Sequence, residues 1–235
     1  TRFGENGQAA NCVIADGCEI GGNVIGSVLS RNVRIAPGAT VVRGAVARTL
    51  CDVQGVRGVD SAEACSLLVC SAGERLPWTA EALRARIEAG MNVLLMDMRE
   101  NDLKALLPEL ACERMATATH PMRFPDGPLP TCLAGCSNAD WMWHGAVSFR
   151  TLSGAGVGTP SLRVLQIGKG TVVVWQASPN RMDAAARPEL RLSLRHAHYL
   201  LSCLLANLGA DATRPVPLYV GDRLLEDEPY RYYRW

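Results

Sequence analysis

The chain has 235 residues, 48% of them hydrophobic, with 24 basic side chains against 23 acidic ones and a formal net charge of +1. That is enough chain and enough apolar content for one large domain, or for a principal domain with a small appendage. The near-cancellation of charge, with no basic stripe, argues against nucleic acid as a partner. Apolar runs such as Val93–Met96 and Val172–Trp175 fall far short of the ~20 residues of a membrane span.

From Val13 to Val46 the sequence runs on a beat of six. Ile14 and Ile20, then after a slip of three Leu29, Ile35 and Val41, take the aliphatic position, and Cys18, Val24, Val33, Ala39 and Ala45 follow four residues behind. Such a beat suits the flat faces of a left-handed parallel β-helix, each of which buries one aliphatic side chain. A pair of ordinary strands with glycine turns is the alternative. The stretch Asn23–Val42 resembles the C-terminal hexapeptide β-helix of bacterial glucose-1-phosphate adenylyltransferases. Residues 1–45 are therefore expected to form a short hexapeptide-repeat β segment, truncated below the usual three coils.

After Val46 a βα alternation takes over. Ser66–Cys70 (SLLVC) has the length and continuity of a buried strand. Thr79 is placed to cap a helix over Ala80–Ala89, with Leu83 and Ile87 on one face and Gly90 just past its end. Met91–Met96 (MNVLLM) is a second buried strand, so the spacing predicts a right-handed βαβ unit and a parallel sheet. Asp102–Leu107 predicts a short helix stopped by Pro108, and Cys112–Thr119 another strand. Residues 120–160 hold much of the Gly, Pro, Trp and His and read as long loops. Leu162–Ile167 and Thr171–Gln176 flank Gly168-Lys169-Gly170, a hairpin signal. Pro188 opens a final helix whose apolar face is Leu194, Ala197, Leu201, Leu204, Leu205 and Leu208. Leu218–Trp235 is an aromatic, charged tail without a clear period.

The nine cysteines follow no repeating frame, and no Cys-x-x-Cys or His-x-x-x-His pair occurs, so neither a disulfide scaffold nor a structural zinc site is expected. Unpaired cysteines favour a cytoplasmic chain over a periplasmic or secreted one. The opening at Thr1, without methionine or leader, fits a piece of a larger protein.

A cysteine nucleophile needs a tight strand-to-helix elbow flanked by glycines, with a base alongside. Cys136 precedes Ser137-Asn138 and Cys70 precedes Ser71-Ala72-Gly73, so neither makes a Gly-x-Cys-x-Gly elbow. Cys136, Cys70 and His196 are accordingly weak catalytic candidates. Paired carboxylates for glycoside hydrolysis would have to come from residues such as Asp97, Glu100, Asp140 and Asp183, whose spacing alone brings no two together. The glycines at 154–158 and 168–170 match neither a Walker loop nor a dinucleotide fingerprint, and no cofactor is expected. Trp141, Trp143 and His144, beside Asn138 and Asp140, form a polar-aromatic cluster suited to a carbohydrate or to an interface. In the tail, Tyr230, Tyr232, Tyr233 and Trp235 with their neighbouring arginines favour a protein interface.

Residues from about 46 to 235 resemble the amidotransferase-like, flavodoxin-type accessory domain of β-galactosidase-type glycoside hydrolases. The resemblance is carried by Leu133–Trp143, Ile167–Gly170, Gln176 with Pro179 and Asp183, the helix Arg195–Gly209 and the ending Asp227–Trp235. It implies an α/β, flavodoxin-like three-layer sandwich with a mainly parallel sheet over 46–217, followed by the tail 218–235. It also implies a non-catalytic accessory or assembly role, with other domains or subunits of a carbohydrate-active enzyme as partners and homo-oligomerisation open. The first strand of that fold is not evident, and Val33–Val42 has to serve for it. The alternatives are a fragment of a sugar-nucleotide transferase, whose nucleotide-binding domain this sequence lacks, and a self-standing class I amidotransferase-like cysteine hydrolase.

Overall fold

The computed structural model describes residues 2–3, 8–10, 13–14, 19–20, 23–25, 28–29, 34–35, 41–43, 65–74, 76–118, 129–141, 143–184, 186–210, 218–220 and 223–225. Near the N-terminus, seven short strands pair in three parallel ladders. β1 (Arg2–Phe3), β4 (Glu19–Ile20) and β7 (Arg34–Ile35) form one, β2 (Gln8–Ala10) and β5 (Asn23–Ile25) the second, and β3 (Val13–Ile14) and β6 (Val28–Leu29) the third. The aliphatic positions of the sequence beat meet across these ladders, Ile14 opposite Leu29 and Ile20 opposite Ile35. In both pairs the partners are fifteen residues apart in the chain.

The principal sheet has six strands. From one edge they are β13 (Val157–Thr159), β14 (Leu162–Ile167), β15 (Gly170–Trp175), β10 (Asn92–Met96), β9 (Leu67–Ser71) and β8 (Val41–Arg43). β8, β9, β10 and β15 are parallel, and the hairpin partners β14 and β13 are antiparallel. Val41–Arg43 thus lies beside β9 as the outer parallel strand, in the place for which Val33–Val42 was expected. Among the described strands the four parallel ones follow each other in chain order across the sheet, without the reversal of order that marks a flavodoxin arrangement.

Helix α1 (Ala80–Ala89) forms where its punctuation predicts. Thr79 Oγ1 accepts the Ala82 N–H at 3.3 Å, and Gly90 takes a φ of 126° that a side chain would resist. The Arg86 guanidinium stacks 4.5 Å from the centre of the Trp78 ring. α2 (Glu100–Leu106) follows β10, and α3 (Arg191–Asn207) follows a single 3₁₀ turn at Pro188–Leu190.

Strand alternation divides the core in two. Leu67, Val69, Leu94, Met96, Val173 and Trp175 face α3 and the 132–143 loop, whereas Leu68, Cys70, Val93, Leu95, Val172 and Val174 face α1 and α2. Helices therefore cover both faces of the sheet, which is a three-layer α/β arrangement.

The expectation of loops throughout 120–160 fails at its end. β11 (Leu110–Ala118) pairs antiparallel with β12 (Val147–Gly154) as a separate ribbon, and β13 follows β12 directly. Val147, Phe149 and Leu152 point inward, but the ribbon slips register between Cys112 and Met115, and the alternation breaks with it.

His198 is buried on α3, and burial alone pulls its pKa from 6.5 to about 4. The folded protein therefore holds this ring neutral while the unfolded chain protonates it. Stability from this group is complete above pH 6.5 and is lost as pH falls towards 4, by about 3 kcal/mol. Urea unfolding of wild type and His198→Leu from pH 7 to pH 4 is expected to show a flatter pH dependence in the variant. Parallel curves would refute the assignment.

Candidate functional site

The strongest site lies at the carboxyl ends of β9, β10 and β15, where the segments following the three strands line one cleft. A cleft of about 640 Å³ opens there, lined by Ser71 and Ala72 after β9, Asp97, Arg99, Glu100 and Asn101 after β10, Asn180 and Arg181 after β15, and Met115 and Arg150 from the ribbon.

Asp97 is its geometric centre. Its N–H donates to Trp175 O at 2.8 Å, and the Ala72 N–H donates to Met96 O at 3.0 Å, so the three strand ends are locked side by side. Among the described residues Asp97 is the only non-glycine with a positive φ, 55°. An Asp tolerates this left-handed conformation better than most side chains, and its position on the sharp turn from β10 into α2 is that of a strand-to-helix elbow. The carboxylate is 6% exposed and well engaged: Ser178 Oγ donates to Oδ2 at 2.5 Å, Asn180 Nδ2 to Oδ2 at 3.4 Å, and Arg181 Nε to Oδ1 at 3.1 Å. Burial raises its pKa, and the bonds from Ser178, Arg181 and Asn180 pull the other way.

The cysteine candidates stand elsewhere. Cys70 is buried next to the cleft wall and donates to Ser71 O at 3.6 Å. Burial, then the neighbouring Glu74 carboxylate, pushes its thiol up to about 12. Cys136 lies in the opposite core layer, and a hydrogen bond with the Cys203 thiol, followed by burial, raises its pKa as well. The six described cysteines are free thiols. His196 on α3 meets the His144 ring edge to face, centroids 6.0 Å apart at 78°.

The tryptophan cluster is interior. Trp141 is fully buried and Trp143 is 4% exposed, both against α3 and Trp175. α3 fastens this segment along its length. Tyr199 Oη donates to Gly135 O at 3.2 Å, and Asn207 Nδ2 donates to Cys132 O and Ala134 O at 3.2 and 2.8 Å. The Ser193 hydroxyl accepts the His144 N–H at 2.6 Å and donates to His144 O at 2.8 Å. Asp140 Oδ2 accepts from the Ser137 N–H at 2.6 Å and from its hydroxyl at 3.0 Å, so this carboxylate closes a turn, and Asn138 stands exposed beside it. Of the four carboxylates noted in the sequence, Asp97 and Glu100 share the cleft, while Asp183 accepts the Ala186 N–H at 3.0 Å. Tyr230, Tyr232, Tyr233 and Trp235 lie outside the described residues.

Among the described residues no group of three or more His, Cys, Asp or Glu side chains is placed to hold a metal ion, and no helix is long and apolar enough to cross a membrane. The sequence reading missed the arginines of the cleft. Arg99, Arg150 and Arg181 are far apart in the chain, and only the sheet brings them to one edge.

No family model matches the chain, and no curated protein resembles it at a significant level. Solved structures that align in part with the chain include a β-galactosidase from Bacillus circulans sp. alkalophilus, at 13% identity and TM-score 0.33, over 52% of this chain and 22% of that one. A cytoplasmic protein from Salmonella typhimurium LT2 aligns at 16% identity and TM-score 0.40, over 67% of this chain and 78% of that one. A β-galactosidase from Rahnella sp. R3 aligns at 14% identity and TM-score 0.39, over 72% of this chain and 32% of that one. The chain thus spans between a fifth and a third of the two β-galactosidases. At these identities and TM-scores, none of the three assigns an activity to it.

Proposed function

We propose that this chain is a non-catalytic accessory or assembly domain of a carbohydrate-active enzyme of the β-galactosidase-like glycoside hydrolase kind. The observation that carries the non-catalytic part is the occupant of the elbow. Where a hydrolase of this architecture would present a nucleophile, the chain presents Asp97, with both carboxylate oxygens bound by Ser178, Asn180 and Arg181. Such a carboxylate clasps strand ends together and has little freedom to attack. The thiols of Cys70 and Cys136 are raised in pKa, which removes the thiolate that covalent chemistry needs. The link to carbohydrate enzymes rests on the sequence resemblance of residues 46–235. The assembly role rests on the aromatic and Arg-rich tail, whose composition suits an interface.

One preparation tests both parts. Light scattering should give a lower assembly mass for a chain ending at residue 217 than for the full chain, and iodoacetamide should label both slowly at pH 7. An unchanged mass sinks the assembly role, and a single fast-reacting thiol sinks the non-catalytic one.

A further inference from the structure

We infer that the cleft at the carboxyl ends of β9, β10 and β15 binds the oxyanion group, phosphate or carboxylate, of a small molecule. This goes beyond the accessory role and does not depend on it.

Asp97 and Arg181 satisfy each other, which leaves Arg99 and Arg150 as the cations of the cleft against the single carboxylate of Glu100. Neither guanidinium has a hydrogen-bond or ion-pair partner among the described residues. Arg99 leans over the turn after β9, where a Cβ built on Gly73 would lie 3.8 Å from Arg99 Nη2. Ser71 lines the same cleft; its residue is 3% exposed and its hydroxyl has no hydrogen-bond partner. A buried hydroxyl left unpaired costs about 1–3 kcal/mol, so its persistence at the wall of an open cleft points to a partner that arrives from outside. Arg150 approaches from the ribbon, directly across from Met115, whose exposed side chain supplies an apolar wall.

Two guanidiniums and a hydroxyl donor match an oxyanion, which accepts several charge-assisted bonds at once. The Glu74 carboxylate, which accepts the Ser71 N–H at 2.6 Å, lies outside the lining. Glu100 and the amides of Asn101 and Asn180 are suited to hydroxyl groups on the rest of the ligand.

The test is calorimetric titration of the full chain with inorganic phosphate, glucose 6-phosphate, glucuronate and glucose. Saturable binding at a Kd below about 1 mM is expected for at least one of the three anions and not for glucose. Binding of the phosphates identifies a phosphoryl group, and binding of glucuronate alone identifies a carboxylate. Arg99→Gln and Arg150→Gln should each weaken binding about tenfold. Ser71→Ala should weaken it several-fold while leaving the melting temperature unchanged or higher, because it removes an unpaired hydroxyl. No anion binding, equal binding of glucose, or unaltered affinity in all three variants would overturn the inference.

Discussion

Replacing Trp141 with alanine is expected to lower folding stability by about 3–5 kcal/mol, the range for removing a buried tryptophan. The ring is fully buried in the core layer that also holds Leu133, Trp175 and the apolar face of α3. The loop around it is tied to α3 through Tyr199, Asn207 and Ser193, so it cannot readily collapse into the space left behind. Urea unfolding should show a lower midpoint at an unchanged m-value. A loss below about 1 kcal/mol would mean that the ring is peripheral, and would reopen its reading as a sugar-stacking surface.

Gly170→Ala is expected to destabilise the fold by more than about 3 kcal/mol, at the upper end of overpacking effects. A Cβ there would lie 2.3 Å from both Ile87 O and Met91 O, and 3.0 Å from Ile87 Cγ2. Two of these atoms are backbone, fixed at the end of α1 and the start of β10, and a rotamer change relieves neither contact. The preceding turn is equally close, since the Lys169 N–H donates to Glu88 O at 3.1 Å and Gly168 adopts a φ of 57°. Lys169→Ala is the control, an exposed change expected to stay within about 0.5 kcal/mol. Equal melting temperatures for the two variants would show that the β14–β15 turn does not press against α1.

The unit β9–α1–β10 was legible in the sequence because each of its signals is local: a capping threonine, a terminating glycine and two continuous apolar runs. The β14–β15 hairpin and α3 were legible for the same reason. Ribbon strand β12 was not, since Val147 and Phe149 alternate but a bulge in the partner strand spoils the pattern by Leu152. Trp141 and Trp143 were read as a contact surface because a loop rich in Trp, Gly and Asn carries no mark of the helix, fifty residues later, that covers it. The cleft was the least visible feature. Asp97 appeared only as one carboxylate among four, and its partners Ser178, Asn180 and Arg181 lie 81 to 84 residues away.

The placement of β10 between β9 and β15 has a consequence for the order in which the chain acquires structure. Its pairing with β9 closes a short loop through α1, whereas its other edge waits for residues 79 positions downstream, where Thr171 N–H meets Asn92 Oδ1. The Asn92 amide then donates to Leu208 O, 116 residues away, so one side chain ties β10 both to β15 and to the end of α3. On the ribosome, β10 would emerge with an open apolar edge until β15 follows, and this interval is when the chain is most exposed to misassociation.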